Sequence, residues 1–471
     1  MALKSLPFEL DRSAKMPLSE QIRRGITAAI DNGVLAPGAR LPSWLDLAAQ
    51  LGVARGTVRS AYEKLIDAQL IVSSRASGTY VAERPSIVAL PEVPDAVGWV
   101  LEMYRDAAAG PAIFQMGIPA SDRFPAKLFS RIRAQAVRTE TSKPAHYPTP
   151  QGELELRREI AAHLAIARGI ACSPSQIIIT AGFAAGLGLA LRVLGLEGRR
   201  CWFEDPGFPV TRRGVELARL IPVPVAVDEN GIDVDDGIRR AGDAALAVVT
   251  PGQQAPLGPT LALTRRLRLL DWAAERGAWI IEDDYLGELQ LRGRAAPALA
   301  SLDRAGRVIH IGSFSKTISP SLRLGFIVVP AALAAQFAET AACLAPAPGP
   351  SVQLATAEFM RDGHYMRHLR HMKRVYATRR DALTACLERR GHKVQIGGLA
   401  ALLRLPEGTP DIAIAREASA YGLAPAPLSP WYATLKAARP GLLLGIGTVP
   451  EQRLKSACDR LCRIIEQFAA A

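Results

Sequence analysis

At 471 residues the chain is too long for one ordinary hydrophobic core, so two or more domains are expected. Half the residues are apolar, as in soluble globular proteins, and no apolar run is long enough to span a bilayer; the densest, 331–350, is broken by Gln336, Glu339 and three prolines. The net charge of +12 favours an anionic partner without naming it: residues 1–82 hold ten Lys/Arg and seven Asp/Glu, a net +3, which leaves +9 to the rest of the chain. The N-terminus lacks the apolar core of a secretory signal, so a cytoplasmic location is expected. The six cysteines, Cys172, Cys201, Cys343, Cys386, Cys458 and Cys462, form no CxxC pair and read as buried free thiols, not as zinc ligands or disulfides.

In chain order, Leu18–Asp31 reads as a helix with Ile22, Ile26, Ala29 and Ile30 on one face, stopped by Asn32-Gly33. Ser43, three residues before Asp46, forms a variant of the capping box and starts a second helix over 45–51 that Gly52 ends. A third helix runs from about 55 to 68 with Val58, Ala61, Tyr62, Leu65 and Ile66 on its apolar stripe. Its opposite face presents Arg55, Arg59, Ser60 and Glu63. Residues 70–74 and 79–82 can pair across Arg75-Ala-Ser-Gly78 as a hairpin wing.

The stretch 83–111 carries four prolines and no sustained periodicity, as a linker would. From about residue 112 short apolar runs alternate with helical patterns. The best strands are Ile177–Thr180, 201–204, 221–225, 246–250, 279–282, 308–311 and 325–329. Continuous apolar strands between helices predict an α/β domain over 112–471 with a mostly parallel sheet covered on both faces. After about Ser351 the pattern changes to a long basic helix, then strands near 393–396, 401–405 and 442–446, a smaller α+β subdomain.

Two helices joined across a glycine turn, the second opening on arginines, make a helix-turn-helix. An arginine at the start of the recognition helix can donate two hydrogen bonds to guanine O6 and N7 in the major groove. The stretch LPSWLDLAAQLGVARGTVRSAYEKLIDAQLIVSSRASGTYV resembles the winged helix-turn-helix of the GntR family over about 15–82. That resemblance implies double-stranded DNA as partner, with Arg55 and Arg59 as base or phosphate contacts and Thr57 and Gly78 as lesser ones. Trp44-Leu45 stands where the family has Ser-Arg, so one DNA-contacting arginine is missing, and Ala54 replaces a capping Ser or Thr.

The second domain places chemistry-bearing residues just after predicted strands, where open α/β sheets bind ligands. Lys316 lies in GSFSKTISPSLRLG (312–325), with Ser313, Ser315 and Arg323 spaced to clamp a phosphate. The acids of Glu282-Asp283-Asp284-Tyr285 follow strand 279–281; such a cluster can also bind magnesium, though no GK[ST] phosphate loop accompanies it. The turn 180–186 opens a helix whose free N–H groups suit a phosphate, and Glu204-Asp-Pro-Gly-Phe208 offers an aromatic ring. A pyridoxal-type aldehyde needs this set: an amine, a carboxylate for the pyridine nitrogen, phosphate donors and an aromatic plate.

Together these stretches resemble fold-type I, class I aminotransferases over roughly 112–471, and the two-domain combination is similar to the MocR and PdxR-type branch of the GntR regulators. The resemblance implies pyridoxal 5'-phosphate as cofactor, with Lys316 as the Schiff-base lysine, Asp283 on the pyridine nitrogen, Tyr285 on the ring hydroxyl and Phe208 stacked on the ring. Ser313, Ser315, Arg323 and the turn at Gly182, Phe183 and Ala184 would bind phosphate, and Tyr147 would reach the cofactor across a homodimer interface. Gly363-His364 and His368-Leu-Arg370 resemble the family's C-terminal helix, read as structural. The chain departs from the family at Gly252-Gln253-Gln254, at Gly397-Gly-Leu-Ala400 and at 442–447, where aminotransferases carry a substrate-binding arginine and Arg439 is the nearest candidate. The expectation is a regulator, not a dedicated enzyme, that senses an amine or amino-acid effector, or pyridoxal 5'-phosphate itself, through an aldimine at Lys316. The alternative is an active aminotransferase with an accessory DNA-binding domain; no metal site is expected.

Overall fold

The structure is a computed structural model that describes residues 9–74, 78–83, 99–108, 110–142, 144, 146–291 and 296–469. The chain divides into two compact units, Met1–Ala96 and Val97–Ala471.

In the first unit α1 (Leu18–Asp31), α2 (Trp44–Leu51) and α3 (Arg55–Asp67) pack with a small sheet of β1 (Arg40–Leu41), β2 (Ile71–Ser74) and β3 (Gly78–Val81), in the order β1-β3-β2. The amphipathic stripes meet in one core containing Ile22, Ile26, Leu47, Val58, Leu65 and Val81. Ile66, assigned to the stripe of α3, is instead 40% exposed. The Ser43 hydroxyl accepts the Asp46 N–H at 3.1 Å and donates to the Asp46 carboxylate at 2.7 Å, so the capping pair closes through side chains. Gly52 takes φ +61°, the left-handed conformation that ends α2 without a Cβ penalty. Strand β1 lacks any periodic signal because it is two residues long. Residues 75–77, the tip expected to carry Arg75, lie outside the described residues.

Ala54 caps α3 with extended backbone and no side-chain hydrogen bond. Ala54→Ser is therefore expected to stabilise the winged unit by ~1 kcal/mol, because a hydroxyl would accept an otherwise unpaired N–H of the first turn. Urea denaturation checks this; an unchanged midpoint would dismiss the cap argument.

The stretch read as a linker contains a helix, Trp99–Ala108, in the second unit. All four prolines of 83–111 lie outside that span, so nothing there forbids the helix. Residues 84–98 lie outside the described residues.

The second unit is built on an eight-stranded sheet. Its strands are β4 (Ile177–Thr180), β5 (Arg200–Asp205), β6 (Ile221–Asp228), β7 (Gly231–Ile232), β8 (Leu246–Val249), β9 (Trp279–Asp283), β10 (Val308–Ser313) and β11 (Gly325–Val328). The order is β4-β11-β10-β9-β8-β5-β6-β7. The run β10-β9-β8-β5-β6 is parallel, whereas β11 is antiparallel to β4 and β10, and β7 to β6. The sheet is thus mixed: the segment 314–324 is too short for a crossover helix, so β11 must return against β10. Both faces are buried, since Ile177 and Ile179 enter one core cluster and Ile178 the other.

Helix His364–Glu388 leads to an antiparallel sheet of β12 (Val394–Gly397), β13 (Ala400–Arg404), β14 (Ala426–Pro427) and β15 (Gly441–Gly445), ordered β12-β13-β15-β14. The segment after residue 112 joins this subdomain: Ile113 bridges Leu423, and Gly445 N–H donates to Phe114 O at 2.7 Å. All six cysteines are free thiols, but Cys343 is exposed and Cys172 half-buried, against the expectation that all would be buried. Among the described residues no helix is long and apolar enough to cross a membrane, and no group of three or more His, Cys, Asp or Glu could hold a metal ion.

Candidate cofactor pocket and nucleic-acid interface

Arg55, the first residue of α3, is exposed and has no ion-pair partner among the described residues. Arg59 shares that exposed side but pairs with Glu63 at 2.9 Å, an exposed bridge weak enough to exchange for a phosphate. Thr57 is half-buried in the first turn, its N–H donating to Ala54 O. Gly78 has φ +104°, and a Cβ there would meet the Arg40 guanidinium at 3.3 Å. Arg40, exposed beside the wing, joins the basic surface although nothing local in the sequence singled it out.

In the second unit the strand register assembles the phosphate corner. Ser313 pairs with Gly325, and Gly325 with Thr180, so three adjacent strands end level. A Cβ on Gly325 would lie 2.9 Å from Gly312 O and 3.0 Å from Gly182 Cα, so only glycine permits that approach. Gly182, at φ +92°, precedes helix Phe183–Leu194 with no side-chain cap, and its first-turn N–H groups, including those of Phe183 and Ala184, are available to an anion. Ser315 N–H donates to Ser313 Oγ at 3.2 Å, folding the loop back on the strand end, and Arg323 sits exposed at φ +48° where the loop turns.

The next register pair sets Asp283 opposite Ile311. Of the three acids in a row, two are already engaged. Glu282 pairs with His310 at 3.0 Å and accepts the N–H groups of Leu299 and Ala300. Asp284 accepts two hydrogen bonds from Arg168, at 2.7 and 3.0 Å. The Asp283 carboxylate is buried, and among the described residues it has no hydrogen-bond donor. Burial first, then the neighbouring charges of Asp284 and Glu204, push its pKa well above the carboxylate range, with Lys316 opposing. Such a group needs a cation or donor, and a pyridinium N–H supplies one; the site fits the expected cofactor. Asp283 lines one cleft with Phe208, Glu204, Thr211 and Thr250, while Tyr285 and Ser313 line a second one. Burial also raises the Tyr285 phenol, which keeps it a hydrogen donor at neutral pH. The Phe208 ring lies 6.3 Å from Phe183 and 5.7 Å from Trp431.

Lys316 follows β10, and its ammonium donates to Gly117 O at 2.8 Å. Gly117 has φ +76°, and a Cβ there would sit 2.9 Å from that nitrogen. Burial lowers the Lys316 pKa and the Asp283 charge opposes the shift, which leaves more of the neutral, nucleophilic amine than an exposed lysine would have. Tyr147 is fully exposed, so within one copy it does not join the pocket. At β15, Leu442–Leu444 are fully buried and supply no cation, and Arg439 is exposed.

In the sequence Glu204 stands out only as a neighbour of Phe208. It is buried, accepts Thr250 N–H at 3.0 Å and Thr250 Oγ1 at 2.5 Å, and burial pushes its pKa up to about 7. Its folded pKa exceeds its unfolded one, so the unfolded state ionises first as pH rises. Stability then falls between about pH 4.5 and 7 and levels off above, by ~3 kcal/mol for this group alone. Glu204→Gln is expected to remove that slope, read from urea midpoints at pH 5 and 8; an equal loss in both proteins would rule Glu204 out as its source.

Residues 120–421 match the family of class I and II aminotransferases, and residues 18–81 match the bacterial regulatory proteins of the gntR family. The chain is 35% identical over 391 residues to the probable rhizopine catabolism regulatory protein MocR of Rhizobium meliloti, covering 81% of this chain and 79% of that one. It is 33% identical over 468 residues to the uncharacterized HTH-type transcriptional regulator YhdI of Bacillus subtilis (strain 168), covering 97% of both. In fold it is similar to an alpha-aminoadipate aminotransferase of Thermus thermophilus, solved with N-(5'-phosphopyridoxyl)-L-leucine, at a TM-score of 0.70 and 24% identity, covering 79% of this chain and all of the other. A GntR-type DNA-binding unit and a pyridoxal 5'-phosphate aminotransferase fold therefore occur in one polypeptide, and the chain belongs to the MocR-type branch of the GntR family of transcription regulators.

Proposed function

We propose that this regulator reads an amine or amino-acid effector, or the supply of pyridoxal 5'-phosphate itself, through Lys316, and converts that reading into altered operator binding in the cytoplasm. The carrying observation is a half-buried Lys316 whose amine interacts with the charge of a buried Asp283 that has no hydrogen-bond donor among the described residues. When bound, the cofactor supplies an aldehyde that condenses with primary amines. Lys316 would hold it covalently, Asp283 would keep a proton on the pyridine nitrogen, Tyr285 would donate to the ring hydroxyl and Phe208 would cover one ring face. Gly182, Phe183, Ala184, Ser313, Ser315 and Arg323 would hold the phosphate. An effector amine would compete with Lys316 for that aldehyde and would leave the lysine free, shifting the population of domain arrangements. The full exposure of Tyr147 supports a homodimer in which it completes the second copy's pocket, and two copies would also supply two readers for paired half-sites.

A second reading, an active aminotransferase, is disfavoured by the apolar burial of β15. Steady conversion of amino acids to oxo acids would favour it; effector binding without turnover supports the regulator. For DNA, Arg55→Ala is expected to weaken operator binding by ~1–3 kcal/mol and to relax base choice. Fluorescence anisotropy with operator and mutated duplexes measures both; unchanged affinity and preference would remove Arg55 from the interface.

A further inference from the structure

Beyond residue 82 the chain carries a charge excess of +9. Part of it is concentrated on helix His364–Glu388, where no carboxylate occurs before Asp381. Arg367, Arg370, His371 and Arg374 are all exposed, at spacings of three and four that put them on one face, and Lys373 is half-buried beside them. From Arg367 to Arg374 the face spans ~10 Å of helix. Arg367 donates to the His364 ring at 2.9 Å, and among the described residues none of these cations has a carboxylate within ion-pair distance. The arginines further along differ: Arg379 pairs with Asp122 and Arg380 with Asp381.

The opposite face of the same helix grips the lysine loop. The His368 ring lies 2.9 Å from Thr317 O, one residue after Lys316, and the Tyr365 ring packs 5.9 Å from Phe314. A row of unneutralised arginines is complementary to a regularly spaced polyanion, and a chain with a GntR unit has one partner of that kind.

We propose that the face of Arg367, Arg370 and Arg374 is a second contact for DNA, binding the phosphate backbone that flanks the operator without reading bases. The inference rests on the DNA-binding reading above. It gives one helix contact with both the nucleic acid and the loop that carries the cofactor lysine.

The test uses the full-length, cofactor-loaded protein and an operator duplex that the wild type selects from a random pool, with random-sequence flanks on both sides. The variant is Arg367→Gln/Arg370→Gln/Arg374→Gln. The plot of log affinity against log salt is expected to flatten by ~0.9 for each lost contact, roughly 2–3 in all, and low-salt affinity to fall ~10- to 100-fold. Base preference and the cofactor absorbance should stay as in wild type, the latter reporting an intact fold. A control variant removes three exposed arginines elsewhere, Arg199, Arg276 and Arg304. If the helix variant keeps the wild-type slope and affinity while Arg55→Ala binds weakly, the second contact is overturned and the first stands. An equal loss in the control variant also overturns it, because net charge would then be the cause. If the wild type selects no operator, the underlying DNA reading fails instead.

Discussion

Lys316→Ala is expected to abolish covalent retention of pyridoxal 5'-phosphate: the absorbance band of the lysine-bound cofactor disappears, and borohydride no longer fixes a label to the chain. The Lys316 amine is the group placed to bond to the aldehyde, and burial lowers its pKa, so more of it is neutral and reactive than in an exposed lysine. The phosphate corner does not involve that nitrogen, so the variant should still bind the cofactor by its phosphate and lose it on dialysis. Asp283→Asn separates the roles: covalent attachment should persist while affinity falls, because a neutral amide no longer stabilises a protonated pyridine nitrogen. Spectra and equilibrium dialysis of the three proteins decide the matter. A Lys316→Ala protein that keeps the band would place the attachment elsewhere and end the reading.

How much of this was readable in advance depends on distance along the chain. The residues 177–179 and 246–249 announce strands because burial on both faces demands uninterrupted apolar side chains. Lys316, Asp283, Tyr285 and Phe208 were readable because each stands in a short motif at or just beyond the end of a strand. The antiparallel course of β11 was not, since apolar pattern carries no direction and only the short Lys316 loop fixes it. The two-residue strands β1, β7 and β14 have no period to detect. In the pocket the unread partners are the distant ones: Gly117 for Lys316 at 199 residues, Thr250 for Glu204 at 46 and Trp431 over Phe208. EDDY likewise contains three acids, and only the fold shows that two are tied to His310 and Arg168.

That division of labour makes Arg168→Leu the substitution expected to cost most in stability. Its side chain is 1% exposed, donates twice to Asp284 and once to Ala296 O at 2.7 Å. Leucine removes all three hydrogen bonds and leaves a buried carboxylate whose nearest remaining cationic candidate is His310, 3.9 Å away. Removing one member of a buried pair costs ~3–5 kcal/mol, most of it for the charge left behind. The damage reaches the pocket too, because an uncompensated Asp284 adds to the negative field that already raises Asp283. Cofactor affinity should therefore drop together with the urea midpoint. The double variant Arg168→Leu/Asp284→Leu should recover part of both, since no stranded charge remains and apolar pairs of similar volume are tolerated at such sites. If the single variant unfolds within ~1 kcal/mol of wild type, or the double is no more stable than the single, the guanidinium of Arg168 is not what neutralises Asp284.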